Sequence, residues 1–371
     1  MKSVDVFIKG NEFKKNPLSS LNEIDKKTCG FLHFSIDDTS CVYINDPTLI
    51  SQVLASQWPN FRKEFGYKKS RDLIHKELFS PEITWPTSQE FINISSNLDL
   101  IINKFITEND TETIDLYEWC KALTMELFMQ TLLKGSVRPE VSRSQLEYQT
   151  IKAIDILGNV ILRFPDNIDI IDELELDKHS ELLSYSQLFI QNEFCIHATP
   201  ARAMTTILAG YEQMASIMFW LIVHYSKTPY KDFNNISNRY YLNEVIRLHS
   251  PIWAIMRRSK GDLTINEMEL TKDSVVITSP WLMANNAVYF KEPNKFMPER
   301  WGQSIETYAF FPFSHGPRVC KGERFVRTAM YALLNKLKEM KNIECTNLED
   351  LCSHTINVSA IPAKKVSFIF N

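Results

Sequence analysis

Residues 310–325 read FFPFSHGPRVCKGERF, and the rest of the chain is interpreted around this stretch. Gly316 and Pro317 interrupt regular structure before Cys320. After the cysteine, apolar residues recur at helical spacing, as Phe325, Val326, Ala329, Met330, Leu333, Leu334 and Leu337. The pattern predicts a cysteine at the start of an amphipathic helix, where the helix dipole and free backbone N–H groups favour the thiolate. The thiolate is the form of cysteine that ligates metal ions or acts as a nucleophile.

Two neighbours of Cys320 indicate a flat, anionic ligand. Gly322 lacks a side chain where such a ligand would approach the backbone. Arg318 is a permanent cation that suits a carboxylate. A lone buried cysteine is commonly only a core residue. The hypothesis of a binding site therefore rests on the residues around Cys320.

The pattern Phe313-x-x-Gly316-x-Arg318-x-Cys320-x-Gly322 resembles the haem-binding signature of the cytochrome P450 superfamily. The resemblance implies a mainly α fold with a small β portion, in which haem b lies between a long central helix and the cysteine loop. It further implies that the thiolate of Cys320 is the axial ligand of the haem iron and that the other four residues bind the cofactor. A thiolate ligand favours cleavage of the O–O bond.

Composition is that of an ordinary globular protein. The chain has 371 residues, of which 44% are hydrophobic and 23% charged, with a net charge of −4. Length alone would suggest two domains, but the scarcity of glycine and the lack of a linker favour one domain over 1–371. The β-rich parts are expected at about 30–60, at 251–282 and in a C-terminal hairpin. The mild acidity gives no reason to expect nucleic acid.

Cysteine usage and the N-terminal sequence bear on the compartment. The seven cysteines are scattered and odd in number, which fits a reducing compartment. The first residues carry no apolar membrane anchor. We therefore expect a cytoplasmic protein that is similar to the soluble, bacterial members of the family.

Local patterns predict several elements along the chain. Residues 30–45 alternate around a polar turn and indicate a β-hairpin, and Asp46-Pro47 then begins a helix. Further helices are expected at 91–107, 113–134, within 143–200 and at 202–226. The C-terminal TINVSAIPAKKVSFIF is expected to form a hairpin around Ile361-Pro362.

The helix at 202–226 contains the catalytic candidates. Ala209-Gly210-Tyr211-Glu212 resembles the family motif A-G-x-[DE]-T, whose small residues let the helix pass over the haem. The threonine of that motif is replaced by Gln213, which makes Glu212 and Gln213 the candidates for proton delivery. An ordinary alternative is that these two polar side chains only satisfy each other.

Three charged residues recur in the family's order. Glu244 and Arg247 stand at i,i+3 on one helix face, and Arg300 follows further along. Alone, such a pair is commonly a surface ion pair; together the three resemble the Glu–Arg–Arg network that supports the haem loop. Arg257 matches the position from which family members reach a haem propionate, with Arg258 as the alternative.

The sequence departs from the family at a second propionate contact. Family members have a Trp-x-x-x-Arg helix there, and the chain has Trp85 but Gln89 at the arginine position. The resemblance also implies a pocket whose residues are equally well ordinary core residues: Tyr211, Ile252, Trp253, Ala254, Ile255, Ala360 and Ile361.

The function implied is that of a haem-thiolate monooxygenase. It would insert one oxygen atom from dioxygen into a small organic substrate, free or carrier-bound, or couple it oxidatively, in specialised metabolism. The chain lacks a glycine motif for flavin or nicotinamide, so electrons would come from a separate ferredoxin or flavodoxin. Lys321, Arg324 and Arg327 form a basic patch that suits an acidic donor, or else are three solvated charges.

Two other classes remain open from the sequence. The loss of the threonine at Gln213 and of the arginine at Gln89 is compatible with a haem-thiolate peroxygenase, isomerase or dehydratase. A non-catalytic haem domain that recruits another protein is the third class.

Overall fold

The computed structural model describes residues 6–62, 94, 96–108, 114–134, 136–161, 184–185, 187–189, 200–228, 235–340, 343–348, 354–356 and 358–370. The helices are α1 Gly10–Lys15, α2 Pro17–Asp25, α3 Pro47–Ser51, α4 Leu98–Glu108, α5 Leu116–Gln130, α6 Arg143–Ile161, α7 Pro200–Lys227, α8 Asn238–Leu248, α9 Pro280–Ala284 and α10 Glu323–Glu339. A π-helical turn lies at Gln52–Ser56 and 3-10 turns lie at Trp58–Asn60, Pro298–Gly302 and Gly316–Arg318.

The strands are β1 Val6–Ile8, β2 Phe31–Ile36, β3 Thr39–Ile44, β4 Phe61–Arg62, β5 Ile114–Asp115, β6 Ile255–Ser259, β7 Leu263–Ile265, β8 Met268–Leu270, β9 Val275–Thr278, β10 Ile343–Thr346, β11 His354–Ile356, β12 Ala360–Pro362 and β13 Ser367–Phe370. The mainly helical fold with a small β portion is confirmed.

The main sheet has the strand order β1-β2-β3-β9-β6-β4. The hairpin expected at 30–45 is confirmed, with Phe31 opposite Ile44 and Ile36 opposite Thr39. Its two-residue loop needs a left-handed residue, which Asp37 supplies at φ 45°. Strand β3 also pairs in parallel with β9, so the β-rich stretch after α8 joins the N-terminal strands in one sheet.

The C-terminal strands differ from the expectation. Strands β11 and β12 pair with His354 opposite Pro362, so Ile361 and Pro362 lie in a strand and the turn precedes Ala360. Strand β13 pairs instead with β10 and β5. Proline fits in β12 because, among the described residues, this is a two-stranded sheet in which each strand is an edge.

Helix α3 begins as the sequence predicts. The carboxylate of Asp46 accepts the backbone N–H of Leu49 at 2.9 Å, and Pro47 occupies the first turn. The π-helical turn Gln52–Ser56 then extends this helix, and its backbone meets the cysteine loop.

Helix α7 is the central helix, in contact with α5, α6, α8 and α10. Its segment Thr206–Lys227 is long and apolar enough to cross a membrane, but 72% of the apolar window is buried inside the protein. An apolar helix that the rest of the fold covers is a core helix. The expectation of a buried central helix is confirmed.

Three histidines join α7, the end of α8 and β11. Nε2 of His224 lies 2.9 Å from Nε2 of His249, and Nδ1 of His249 lies 3.4 Å from Nε2 of His354. Trp220 stacks on His249 with 3.7 Å between ring centroids and 2° between planes. We call His224, His249 and His354 the histidine cluster; it links the central helix to the β11–β12 hairpin.

Candidate active site

Cys320 lies in a turn rather than at the first residue of a helix. The 3-10 turn Gly316–Arg318 precedes it, its backbone N–H donates to the carbonyl of Phe313 at 2.8 Å, and α10 begins only at Glu323. The side chain of Cys320 is exposed, and a Cβ added at Gly322 would lie 3.7 Å from its Sγ. The exposed cysteine therefore lies beside a position without a side chain.

Gly316 brings the cysteine loop against the helical segment that follows β3. Its φ is +72°, and an added Cβ would lie 2.4 Å from the carbonyl oxygen of Leu54 and 2.8 Å from Cα of Ala55. Both the backbone conformation and the close approach require glycine at this position.

Arg318 is held by residues that the sequence did not single out. Its Nη2 donates to the carbonyl of Phe61 at 2.8 Å, and its guanidinium lies 5.4 Å from the ring centroid of Trp58. Its Nη1 is buried and has no hydrogen-bond partner among the described residues. Burial lowers the pKa of Arg318.

Arg257 is the second buried cation of the site. Its side chain is 8% exposed and its Nη1 donates to the carbonyl of Met256, at 2.9 Å. Burial and, secondly, the neighbouring charge of Arg318 lower the pKa of Arg257 to about 10. Arg258, the alternative, points elsewhere along the strand and donates to the carbonyl of Asp273 at 3.0 Å.

Neither guanidinium, Arg257 or Arg318, forms an ion pair with a carboxylate in the part of the chain that the structure describes. Two neighbouring cations removed from water are unfavourable unless an anion joins them. A ligand with two carboxylates beside Cys320 supplies that anion, so the orphaned Nη1 and the paired cations fit the propionates of a haem.

Glu244, Arg247 and Arg300 form one buried network, as their order in the sequence indicates. Arg247 donates to both carboxylate oxygens of Glu244, at 2.8 and 3.0 Å, and Nε of Arg300 donates at 3.0 Å. Trp301 Nε1 and the backbone N–H of Met297 add donors at 2.9 Å each. The side chains of Glu244 and Arg247 are fully buried, so the surface-pair alternative is excluded.

The small residues of the central helix serve two different purposes. An added Cβ at Gly210 would lie 3.1 Å from Cζ of Phe128 on α5. Gly210 therefore makes room for Phe128. Ala209 is exposed, between the buried Leu208 and the half-buried Gly210, and it is the small residue on the open side of the helix.

Glu212 and Gln213 do not satisfy each other. The carboxylate of Glu212 accepts a hydrogen bond from the hydroxyl of Ser359 at 3.3 Å, while Oε1 of Gln213 is buried and has no partner in the part of the chain that the structure describes. Desolvation raises the pKa of Glu212 to about 7, and the Ser359 hydrogen bond partly opposes that rise. A carboxyl that titrates near neutral pH is suited to giving and taking a proton.

The expected pocket residues separate into two groups. Trp253 packs against Phe13, 6.3 Å between ring centroids, in the core under the N-terminal strands; it is a core residue and the pocket assignment is corrected. Tyr211 is buried near Glu147 and Glu118 of α6 and α5, where burial raises its pKa. Because α7 buries this side chain against those helices, Tyr211 also belongs to the core.

The other pocket candidates lie on the strand side of the site. Ile252 and Ile255 pack with Leu54 and Phe311 of the cysteine loop's surroundings. Ala254 is half-buried with the N-terminal core, Ala360 is buried against α7 and Ile361 is half-buried in β12. Trp85 and Gln89 lie outside the described residues.

The basic patch is smaller than the sequence indicates. Lys321 and Arg324 are exposed at the start of α10. Arg327 instead donates to Glu323 and to Oδ1 of Asn243, both at 2.8 Å, and is held within the fold. This part of the patch is corrected, since a paired guanidinium presents little free charge.

Comparisons with known proteins agree on one family. The family model "Cytochrome P450" matches residues 233–362. Cytochrome P450 3A7 of Homo sapiens is 28% identical over 172 residues, 39% of this chain and 34% of that protein. Probable cytochrome P450 4d21 of Drosophila melanogaster is 33% identical over 101 residues, 26% of this chain and 20% of that protein. The chain thus aligns with about a fifth to a third of the length of these relatives.

Solved structures extend the likeness to nearly the whole chain. CYP175A1 from one strain of Thermus thermophilus superposes with a TM-score of 0.77 at 20% identity and covers 98% of this chain and 99% of its own. A six-coordinated cytochrome P450 from another strain of Thermus thermophilus gives 0.74 at 21% identity, covering 95% and 98%. The fold is that of these cytochrome P450 structures. Residues 233–362 match the cytochrome P450 family model, and this family and fold imply haem b with an iron that a cysteine thiolate ligates.

Sequence reasoning missed four residues that shape the site. Trp58 and Phe61 hold Arg318, Phe128 fills the space at Gly210, and Ser359 reaches Glu212. None belongs to a motif that signals its role.

Proposed function

We propose that this protein is a haem-thiolate monooxygenase in which Cys320 is the axial ligand. The single observation that carries the proposal is the pair of the buried Arg257 and the half-buried Arg318, which lies at the cysteine loop and has no carboxylate partner among the described residues. A P450 fold with such a pair matches a cofactor that has a thiolate ligand and two propionates.

Several residues of this chain would hold the cofactor. Cys320 supplies the thiolate, Arg257 and Arg318 neutralise the propionates, and Gly322 leaves the sulfur accessible. Phe313 and Gly316 fix the loop through a backbone hydrogen bond and a close helix contact. When bound, the haem supplies reductive activation of dioxygen, which a thiolate ligand promotes.

Residues of α7 would take part in proton transfer. Glu212 titrates near neutral pH and can exchange a proton with water. Oε1 of Gln213 accepts a hydrogen bond from that water or from the substrate, since a glutamine amide both donates and accepts. Ala209 leaves room beside the helix for a small organic substrate, free or carrier-bound.

Electrons would come from a separate ferredoxin or flavodoxin. Lys321 and Arg324 are exposed next to Cys320 and support docking of an acidic donor at this face. We place the protein in the cytoplasm, in specialised metabolism.

The test is the spectrum of the reduced protein with carbon monoxide. We expect the absorption band that is diagnostic of thiolate ligation, and we expect Cys320→Ala and Cys320→His to abolish it. Cys345→Ala is the matched control, since Cys345 lies half-buried in β10, and it should leave the band unchanged. Retention of the band in Cys320→Ala would overturn the assignment.

A second function, peroxygenase chemistry, is favoured by Gln213, which has no hydroxyl at the family's threonine position. The two functions differ in the source of oxidising equivalents. With a monooxygenase, product forms in proportion to electrons from the donor, and Gln213→Thr keeps or improves that ratio. Turnover driven by hydrogen peroxide without any reductase, together with no product from the electron donor, would establish the second function instead.

A further inference from the structure

Glu212 lies against the tip of the β11–β12 hairpin. Oγ of Ser359 donates to Oε2 of Glu212 at 3.3 Å, although the two residues are far apart in sequence. Ser359 is fully buried, so its hydroxyl has no access to bulk water. Within the part of the chain that the structure describes, this hydroxyl is the hydrogen-bond donor to the Glu212 carboxylate.

The hairpin tip is itself fixed to the central helix. Oγ of Ser216, one turn after Glu212, donates to the carbonyl of Ala360 at 3.0 Å. The backbone N–H of Ala360 donates to the carbonyl of Pro251 at 2.8 Å, which ties the tip to the segment after α8. Ser359 is therefore presented to Glu212 by backbone that is anchored at Ala360 through both its carbonyl and its N–H.

The charges that face Glu212 come from two other helices. Desolvation raises its pKa most, the hydrogen bond from Ser359 lowers it, and then Asp155 of α6 raises and Lys121 of α5 lowers it. The phenols of Tyr117 on α5 and Tyr211 on α7 also lie within electrostatic reach. Of these groups, Ser359 is the one that contacts the carboxylate directly and favours its charged form.

We propose that Ser359 is a positioning residue for proton transfer, whose hydroxyl holds the Glu212 carboxylate in one orientation. Glu212 takes one proton from water at the carboxylate and passes one proton to the water or substrate group that Gln213 binds, so the carboxylate is regenerated in each cycle. The inference rests on the proposed function, because it assigns a residue to the proton supply of that same site.

The experiment is an infrared titration of the haem-loaded protein without substrate or electron donor. The carboxyl band of Glu212 is identified as the band that Glu212→Gln removes. We expect Ser359→Ala to raise the midpoint of that band by about one pH unit, since a hydrogen bond to a charged group is lost. Ser359→Thr keeps a hydroxyl and should restore the midpoint, and Ser359→Cys, a weaker donor, should lie between.

Ser216→Ala is the matched control, because it removes a hydrogen bond between the same hairpin and the same helix but leaves the hydroxyl of Ser359. We expect a clearly smaller change of midpoint than in Ser359→Ala. An unchanged midpoint in Ser359→Ala, or an equal change in Ser216→Ala, would overturn the proposal. Since the band is read without turnover, this failure is distinguishable from loss of the thiolate band, which tests the proposed function.

Discussion

At the scale of single residues, the carboxylate of Glu244 shows how a buried charge is stabilised in this fold. Donors reach it from Arg247 on its own helix and from Met297, Arg300 and Trp301 in the segment that leads to the cysteine loop. Arg247 in turn donates to the carbonyls of Ala284 and Lys295, at 3.0 and 3.1 Å. The network joins α8 to the approach of the haem loop.

Arg247→Ala should destabilise the protein strongly, because it leaves Glu244 buried and short of its main partner. Breaking such a pair costs about 3–5 kcal/mol, a large share of a typical total of about 5–15 kcal/mol. We expect a lower urea midpoint and loss of haem. Lys295→Ala, which removes only an exposed ion pair with Glu292, is the control and should change little. A haem-loaded Arg247→Ala protein with the wild-type midpoint would contradict the interpretation.

At the scale of elements, the contact between the cysteine loop and the π-helical turn Gln52–Ser56 positions Cys320. Gly316 approaches the backbone of this turn so closely that no side chain fits, and the 3-10 turn that begins there carries Arg318. Trp58 and Phe61, which follow the π-helical turn, then hold Arg318. This one contact between elements thus positions both Cys320 and Arg318.

Gly316→Ala should therefore disturb haem binding. The substitution adds strain from a positive φ, about 1–2 kcal/mol, and forces the loop away from Leu54, which would lie 2.4 Å from the new Cβ. We expect faster transfer of haem to an apoprotein acceptor and a lower urea midpoint.

Gly261→Ala is the matched control for this substitution, since no atom of the described residues lies within 4 Å of the Cβ it would add. It should transfer haem at the wild-type rate. Equal transfer rates in the two variants would show that the loop does not depend on this contact.

At the scale of the whole molecule, the histidine cluster couples stability to pH. Burial lowers the pKa of His224 to about 3, and burial with the neighbouring histidines lowers that of His249 well below its ordinary value. Both residues are half-buried, and their rings stack on Phe296 and Trp220. In the unfolded chain both would titrate near ~6.5.

The sign follows from the depressed pKa values. Below about pH 6.5 the two histidines bind protons in the unfolded state but stay neutral in the folded state. The free energy of unfolding therefore falls as pH decreases toward about 3. We expect His224→Phe, which keeps a ring against Phe296, to weaken this dependence by about 1.4 kcal/mol per pH unit. Urea unfolding midpoints measured between about pH 3 and about pH 6.5 test this pH dependence. The same change of midpoint with pH in wild type and His224→Phe would contradict the prediction.

The local patterns of the sequence determined much of this protein. The β2–β3 hairpin, the start of α3, the central helix and the cysteine loop follow from short-range spacing, because turn chemistry, capping and apolar periodicity act between near neighbours in the chain. The network of Glu244, Arg247 and Arg300 was implied instead by the resemblance to the cytochrome P450 superfamily, since Arg300 lies far along the chain from the other two. The sequence did not predict β1, α1 and α2, whose elements are too short to show a period.

Only the tertiary structure decided which side chains meet. In the folded chain Arg257 lies near Arg318, whereas Arg258 binds the carbonyl of Asp273. Phe128 packs against Gly210, and Ser359 donates a hydrogen bond to Glu212. Arg327 donates a hydrogen bond to Asn243 and is therefore not a free cation of the basic patch. The physical reason is that these contacts join residues far apart in the chain, and packing of whole elements, rather than local propensity, fixes their distances.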